Sequence, residues 1–392
     1  MKPRMVELSE VIVDIAAGPF GSNLKVSCFV DDGFPIIDGA NLRGYKVTDN
    51  ITKYVTDEKA RSLSRSIARR GDVVVTISGN VGQISYIPNN SRYEAYLCSQ
   101  RQFRVTFDFN RVYVPYLVFY FHTYEGQHKI LSFANQTGVP ALSQPLKNFK
   151  KIKVFLPEIE QQRRIANIIE LINDKIECNE KINKNLTDQI QTIYCNQFSP
   201  ITHTPTGVLS DVCHFSTDRI PVSLLTTSTY YSTENMLPEK VGAVEATSLP
   251  SVSQTTKCHK GDVLISNIRP YFKKIVYVTE DCGCSADVLC FTPQEAKLSA
   301  FVFGTLFIDR FFDYMVVGAK GTKMPRGDKK QIMNYPIVLP SSSSLALYNN
   351  AVMPMIVQMD CNRAENKRLA ILRDTLLPHL ISGEIDVSDI NL

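Results

Sequence analysis

The chain of 392 residues lacks several things that would place it in familiar classes. No apolar run approaches the ~20 residues of a membrane span, and the strongest, around Val112 to Phe121, is interrupted by Pro115 and reads as core. A membrane partner is therefore not expected. The opening MKPRMVELSEV has no apolar segment of the kind a secretory signal needs. The ten cysteines are scattered without framework spacing, which suits a reducing cytosol, so a cytoplasmic location is expected. No Asn-Pro-Pro-Tyr motif for adenine methylation is present, nor a Gly-rich phosphate loop ending in Lys-Ser/Thr. His122, His128, His203, His214, His259 and His379 form no i, i+4 pair around a carboxylate and read as satisfied or exposed histidines. Cys258, Cys282, Cys284 and Cys290, with His259 beside the first, have the spacing C-x23-C-x-C-x5-C and no C-x2-C pair. Four cysteines in one region can bind zinc, but this spacing favours buried thiols. No catalytic residue, metal or cofactor is expected.

What the chain does have is a long heptad pattern. After Leu156-Pro157, the residues Ile165, Ile169, Ile172, Ile176, Asn179, Asn183, Leu186, Ile190 and Ile193 alternate spacings of four and three. That is the seam of a helix packed along another helix, and ~39 residues at 1.5 Å each make a rod of roughly 58 Å. The same seam returns 183 positions later as Tyr348, Val352, Met355, Met359, Asn362, Asn366, Leu369, Arg373 and Leu376. Asn179 and Asn183 map onto Asn362 and Asn366, and Cys178 and Leu186 onto Cys361 and Leu369. A seam that repeats with both of its polar breaks in register marks an internal duplication. Two rods of one chain separated by ~140 residues pack most simply as antiparallel partners. The paired Asn then act as register pins, at some cost in stability. Pro354 is expected to kink or locally break the second rod, and Gly383 to stop it after Ser382.

The predicted layout is α+β: two mixed α/β domains, separated by two long antiparallel coiled-coil helices, with internal pseudo-two-fold duplication. Residues 1–157 form the first globe, 158–198 the central helix, 199–340 the second globe, and 341–392 the C-terminal helix and tail. The two globes share a plan. RGDVVVTISGN (70–80) corresponds to KGDVLISNIRP (260–270), and QISYIP to KKIVYVT. VYVPYLVFYFHTYEGQHKIL and SAFVFGTLFIDRFFDYM read as one aromatic helix each, and SPITHTPTG as a linker. Net charge is +7 over residues 1–157, −2 over 158–198, +1 over 199–340 and −2 over 341–392. Positive charge on the globes and not on the rods is the footprint of a nucleic-acid binder that grips through its globes, although a bland surface also produces it.

These features resemble the DNA-specificity subunits of type I restriction–modification systems. The carriers are GPFGSNLKV, RGDVVVTISGNVGQISYIP, PLKNFKKIKVFLPEIEQQRRIANIIELINDKIECNEKINKNL, GTKMPRGDKKQIMNYPIVLP and the closing LRDTLLPHLISGEIDV. The resemblance covers essentially the whole chain, and the Leu-Pro junctions with their helices are its most specific part. It implies two target-recognition domains, each reading one half of an asymmetric, split double-stranded DNA site, with the unread gap set by the helices. It also implies docking of two methyltransferase subunits on the helices, joined by restriction and motor subunits, and no catalytic centre in the chain itself. One departure is clear: the second globe lacks the GPFGS turn and reads STDRIPVSLL there.

Candidate DNA-contacting residues follow from loop position and side-chain chemistry. Asn and Gln can read adenine, Arg and Lys can read guanine, and Ser or Thr can serve either or hold phosphate. In the first globe these are Gly21, Ser22, Asn23, Lys25, Ser78, Asn80, Gln83 and Arg101. In the second they are Ser266, Asn267, Arg269, Lys273, Lys274, Lys320, Lys323 and Arg326. Turn chemistry and a solvated basic face place the same residue types there. Arg101 and Arg104, at odd separation, should not both face DNA from one regular strand. Register and partner docking fall to Ile165, Ile169, Ile172, Ile176, Asn179, Asn183, Leu186, Met355, Met359, Asn362, Asn366 and Leu369. Ile168, Leu171, Ile182 and Tyr194 lie off the seam and widen the apolar surface, as in a rod that receives further helices. Two competing readings remain open: a coiled-coil interaction scaffold without sequence-specific DNA binding, and a standalone nuclease.

Overall fold

The computed structural model describes residues 4–135, 139–198 and 204–387, so His203 and the first residues of the SPITHTPTG linker lie outside it. The chain packs as two units, residues 1–176 with 367–392, and residues 177–366.

In the first unit, strands Ile12–Ala17, Gln102–Phe107, Val73–Thr76 and Ile84–Tyr86 lie side by side in that order. Val73–Thr76 is buried throughout because its alternating side chains enter two cores. Val73 and Val75 face Phe103, Val105, Leu117 and Phe121. Val74 faces the other way, onto Ile37, Tyr96 and Cys98. A second sheet orders Phe29–Val30, Tyr54–Val55, Phe34–Ile37, Ala95–Cys98 and Ile67–Arg69, with Phe34–Ile37 and Ala95–Cys98 parallel.

The second unit repeats this plan. Its main sheet runs Cys213–Phe215, Val288–Pro293, Val263–Ser266, Ile275–Tyr277, the same order with the equivalent strands. Val263 and Ile265 face Phe291, Phe301 and Leu306, and Leu264 enters a separate core with the four cysteines. Its second sheet again contains one parallel pair, Tyr230–Tyr231 with Cys282–Cys284. The duplication first seen in the rods therefore extends to both globes.

Two expectations need correction. The aromatic helices are each broken in two, as Val114–His122 with Tyr124–Leu131 and Ser299–Phe307 with Asp309–Val317. The breaks fall at Thr123 (φ −74°, ψ 163°) and Ile308 (φ −72°, ψ 146°), whose extended backbone turns the chain. The Thr123 hydroxyl caps the new helix by accepting from Gly126 N at 3.2 Å. Pro354 does not break the second rod, since Ser342–Ser382 is continuously helical. Val352 and Ile356, buried on either side of it, hold the helix in place across the missing N–H. Gly383, at φ +78°, ends the helix as expected.

The central helix is Ile159–Phe198, 40 residues, and the C-terminal helix has 41. In the first unit Ile165 and Ile169 pack with Leu377, Leu380 and Ile381, and Arg373 Nη1 donates to Asn173 Oδ1 at 3.1 Å. In the second unit Ile190 and Tyr194 pack with Tyr348, Val352, Ile356 and Met359. In both units residue numbers rise along one helix as they fall along the other, so the helices pair antiparallel. Ile172, Ile176, Leu186, Met355 and Leu369 are half-buried along the same stripe.

Candidate nucleic-acid interface

In the first unit a cleft of about 500 Å³ opens beside the main sheet. Its walls bring Ser78, Asn80 and Gln83 of one loop together with Arg101 from a separate stretch of the chain. Gly79 and Gly82, at φ +87° and +89°, let the loop between two strands turn tightly enough to present them. Gln83 is held by a hydrogen bond from the Thr76 hydroxyl to its Oε1 at 3.3 Å. Asn80 and Arg101 are exposed. Arg104 is diverted to structure: Nη2 donates to Asp14 Oδ2 at 2.6 Å and Nε to Arg65 O at 3.0 Å. The Arg104 hydrogen bond holds the Asp14 carboxyl below its ordinary range. Of the two arginines, Arg101 alone lines the cleft.

Two cleft residues escaped the sequence reading. Gln100 donates from Nε2 to Leu24 O at 2.7 Å and Gly21 O at 3.4 Å. It thereby ties the turn carrying Gly21, Ser22, Asn23 and Lys25 to the cleft wall. Gly18 anchors the same turn: its N–H donates to Gln102 O at 2.7 Å, and a Cβ there would lie 1.9 Å from Ser99 O. Lys53 reaches Asp38 Oδ2 at 2.7 Å. Burial pushes the Asp38 carboxyl up, but Lys53 and the Ala40 N–H outweigh it and leave the carboxyl below its usual value. Gln100 stands next to Arg101 in the tight link between two strands, a position that could have flagged it. Nothing in the sequence flags Lys53.

The second unit arranges its candidates differently. Ser266 is buried and donates to Ile268 O. Lys273 pairs with Asp309 at 3.1 Å, Lys320 with Asp328 at 2.6 Å and Arg326 with Asp287 at 2.9 Å. Lys274 donates to Thr233 O at 2.6 Å. The basic face expected there is largely matched by its own carboxylates. Lys323 is exposed and has no ion pair among the described residues. A cleft of about 630 Å³ lies alongside, with Arg269 and Lys274 on its wall together with Glu234, Glu245 and Asp287.

The four cysteines of this unit converge in a small apolar core. Cys258 sits opposite Cys282 across two antiparallel strands. Hydrogen bonding among Cys258, Cys282, Cys284 and Cys290 raises the Cys258 thiol far above its usual value. Cys290 is lowered by its bond with Cys258, but burial and Asp262 leave it pushed up to about 11. Such thiols stay protonated and pack as small hydrophobes. Among the described residues no group of three or more His, Cys, Asp or Glu is placed to hold a metal ion.

On the helices, Asn179 Nδ2 donates to Asn366 Oδ1 at 2.8 Å and to Glu365 Oε2 at 2.7 Å. Asn362 Nδ2 donates to Asn183 Oδ1 at 2.8 Å. Equivalent positions thus pair crosswise, 179 with the equivalent of 183 and 183 with the equivalent of 179, as a two-fold contact requires. Off this stripe Leu171, Ile182, Leu347, Val357, Ile371 and Leu372 stay exposed. No described helix is long and apolar enough to cross a membrane.

Comparison with known proteins points the same way. Residues 21–188 match the type I restriction modification DNA specificity domain. The type I restriction enzyme MjaIX specificity subunit of Methanocaldococcus jannaschii is 21% identical, over 97% of this chain and 93% of that protein. The crystal structure of the type I restriction–modification system S subunit from M. genitalium superposes with a TM-score of 0.54 at 13% identity, over 97% of this chain and 96% of that one. At that identity the likeness is one of fold.

Proposed function

We infer that this chain, which carries the type I restriction modification DNA specificity domain across residues 21–188, is the non-catalytic DNA-specificity subunit of a type I restriction–modification complex. The observation that carries the reading is the first-unit cleft. It collects an amide, a second amide, a hydroxyl and an exposed guanidinium (Asn80, Gln83, Ser78, Arg101) on a frame stiffened by two sheets. Amides and guanidinium on a rigid support are the side chains that discriminate base edges in the major groove.

Two recognition domains, residues 1–157 and 199–340, each read one half of the target. The first cleft presents Ser78, Asn80, Gln83 and Arg101, the second Arg269 and Lys274 among Glu234, Glu245 and Asp287, so the two half-sites differ and the target is asymmetric. Gly21, Ser22, Asn23 and Lys25 approach the DNA from the turn that Gln100 holds. In the second domain Ser266 and Asn267 shape the loop beneath Arg269. Lys273, Lys320 and Arg326 exchange their present partners for phosphates, Lys274 stays on the cleft wall beside Arg269, and Lys323 needs no such exchange. The long helices set the unread gap. Their exposed apolar residues receive methyltransferase subunits, two per chain in keeping with the internal two-fold, and restriction and motor subunits join that assembly.

The test is the methylated motif in host DNA, determined by single-molecule sequencing with and without this gene. A bipartite asymmetric motif that disappears with the gene is expected. An unchanged methylome, in a host whose neighbouring methyltransferase gene is intact, would refute the reading. Inserting one helical turn into both rods should lengthen the gap and leave the two half-sites as they were.

A further inference from the structure

The loop after Val263–Ser266 holds a guanidinium that the rest of the second unit does not use. Arg269 and Lys273 take left-handed backbone, φ +53° and +50°, on either side of one 3-10 turn, Pro270–Phe272. Non-glycine residues are held this way only where the surroundings impose it. Here they do: Arg269 N donates to Pro325 O at 2.8 Å, Glu239 N to Phe272 O at 2.9 Å and Lys240 N to Lys273 O at 3.0 Å.

The Arg269 side chain lies on the wall of the 630 Å³ cleft. Its Nε is buried without a hydrogen-bond partner, and among the described residues it makes no ion pair. Lys273, Lys274 and Arg326 around it all have partners. Asn267, two residues earlier, is only 8% exposed, and its Oδ1 is likewise unpartnered. Buried polar groups are almost always satisfied, so neither side chain is tied down by its own loop, and of the two Arg269 is the one on the cleft wall.

The cleft also restricts what that ligand is. Arg269 and Lys274 share the wall with the exposed Glu234 and Glu245 and with Asp287, which Arg326 already holds. A phosphate entering this wall meets like charge. A guanine edge is neutral, and its O6 and N7 acceptors match the planar fork of arginine. The paired cytosine presents an amino donor, which a carboxylate such as the exposed Glu234 accepts.

We propose that Arg269 is the specificity-determining residue of the second recognition domain and reads the guanine of one G·C pair in its half-site. This rests on the function inferred above. Glycine takes φ near +53° freely, so Arg269→Gly removes the fork and relieves the backbone together.

The experiment uses the complex reconstituted with its methyltransferase. It reads the methylated motif, DNA affinity against salt concentration, and Tm. Arg269→Gly should melt at or above the wild-type temperature, bind the cognate site ~10–100-fold more weakly, and accept any base pair at one position of one half-site. Arg269→Lys, which keeps charge without the fork, should lose the same discrimination. Lys323→Ala should keep the motif and weaken all sequences alike, with a salt slope shallower by about one. An Arg269→Gly complex with the wild-type motif, or with equal losses on cognate and substituted sites, overturns this assignment alone. A wild-type complex without sequence preference overturns the function as well.

Discussion

Asn362 donates through Nδ2 to Oδ1 of Asn183 at 2.8 Å, inside a stripe whose other members, apart from Asn179, Asn366 and Arg373, are apolar. Asn183 in turn donates to Met359 O at 3.2 Å, and Asn362 Oδ1 accepts from Gln358 Nε2 at 2.7 Å. The sequence alignment of the two rods suggests Asn179 with Asn362 as a pair, but the contacts join 183 with 362 and 179 with 366. Asn183→Leu should cost about 1–3 kcal/mol because it strands the buried Asn362 amide. The double change Asn183→Leu with Asn362→Leu should restore most of that stability, or exceed it, while loosening register. Thermal denaturation of the three proteins decides: a double variant less stable than both single variants would remove the Asn pair from the account.

Gly304 lies under two tyrosines, and a Cβ there would sit 2.1 Å from Tyr348 Oη and 2.8 Å from Tyr194 Cδ2. Both rings are fully buried, so neither has room to retreat. Gly304→Ala is expected to cost about 1–3 kcal/mol by overpacking. Among the described residues Tyr348 Oη has no hydrogen-bond partner, so Tyr348→Phe should be neutral or slightly stabilising. It should also soften the Gly304→Ala defect in the double variant. Urea midpoints measure all three, and a Gly304→Ala protein of wild-type stability would show that the helix can shift instead.

His122 packs on Tyr45 with ring centroids 4.4 Å apart, and its Nε2 lies 2.8 Å from Ile84 O. Burial holds its pKa below the ordinary imidazole value, opposed by the Ile84 carbonyl and aided by the Arg373 charge. An unfolded imidazole titrates near ~6.5. Below that pH, down to the lower folded value, the unfolded chain binds more protons, so stability must fall as pH falls. Tm measured from pH 7 to pH 5 should drop less steeply for His122→Gln, which keeps a donor for Ile84 O, than for the wild type. Parallel curves would show that His122 is not the group responsible.

Gln100 links the turn at Gly21 and Leu24 to the cleft through two hydrogen bonds. At about 0.5–1.5 kcal/mol each, about 1–3 kcal/mol together, Gln100→Ala should weaken DNA binding by about 5- to 150-fold. The loss should be confined to the half-site of the first domain. Competition assays with each half-site substituted in turn separate this from a general loss of fold, which would weaken both.

What the sequence makes legible follows from what repeats. The seam at Ile165 and Ile169 and its copy at Tyr348 and Val352 are strong periodic signals, and the Leu-Pro junctions bound them. The turn-bounded Val73–Thr76 and Val263–Ser266 strands are visible for the same reason. Pairing partners are a different matter. An antiparallel contact joins each Asn to the neighbour of its equivalent, which a linear alignment does not display. Ion pairing is also invisible: Lys320 with Asp328 is close in sequence, but Lys273 with Asp309 and Arg326 with Asp287 are made by tertiary folding. The helix breaks at Thr123 and Ile308 escape because both lie inside apolar periods that continue on either side.

Cys178 and Cys361 are exposed, while Cys98, Cys213, Cys258, Cys282, Cys284 and Cys290 are buried. A thiol reagent added to the native protein therefore marks the two helix positions at once. Half-buried Cys28 and Cys195 follow, and the six buried thiols react only as fast as the surrounding structure opens. Cys98 times the first unit and the cluster around Cys258 times the second. The chain thus carries its own pair of clocks for local opening, with no label to be engineered, and DNA that closes over either domain should slow that domain's clock alone.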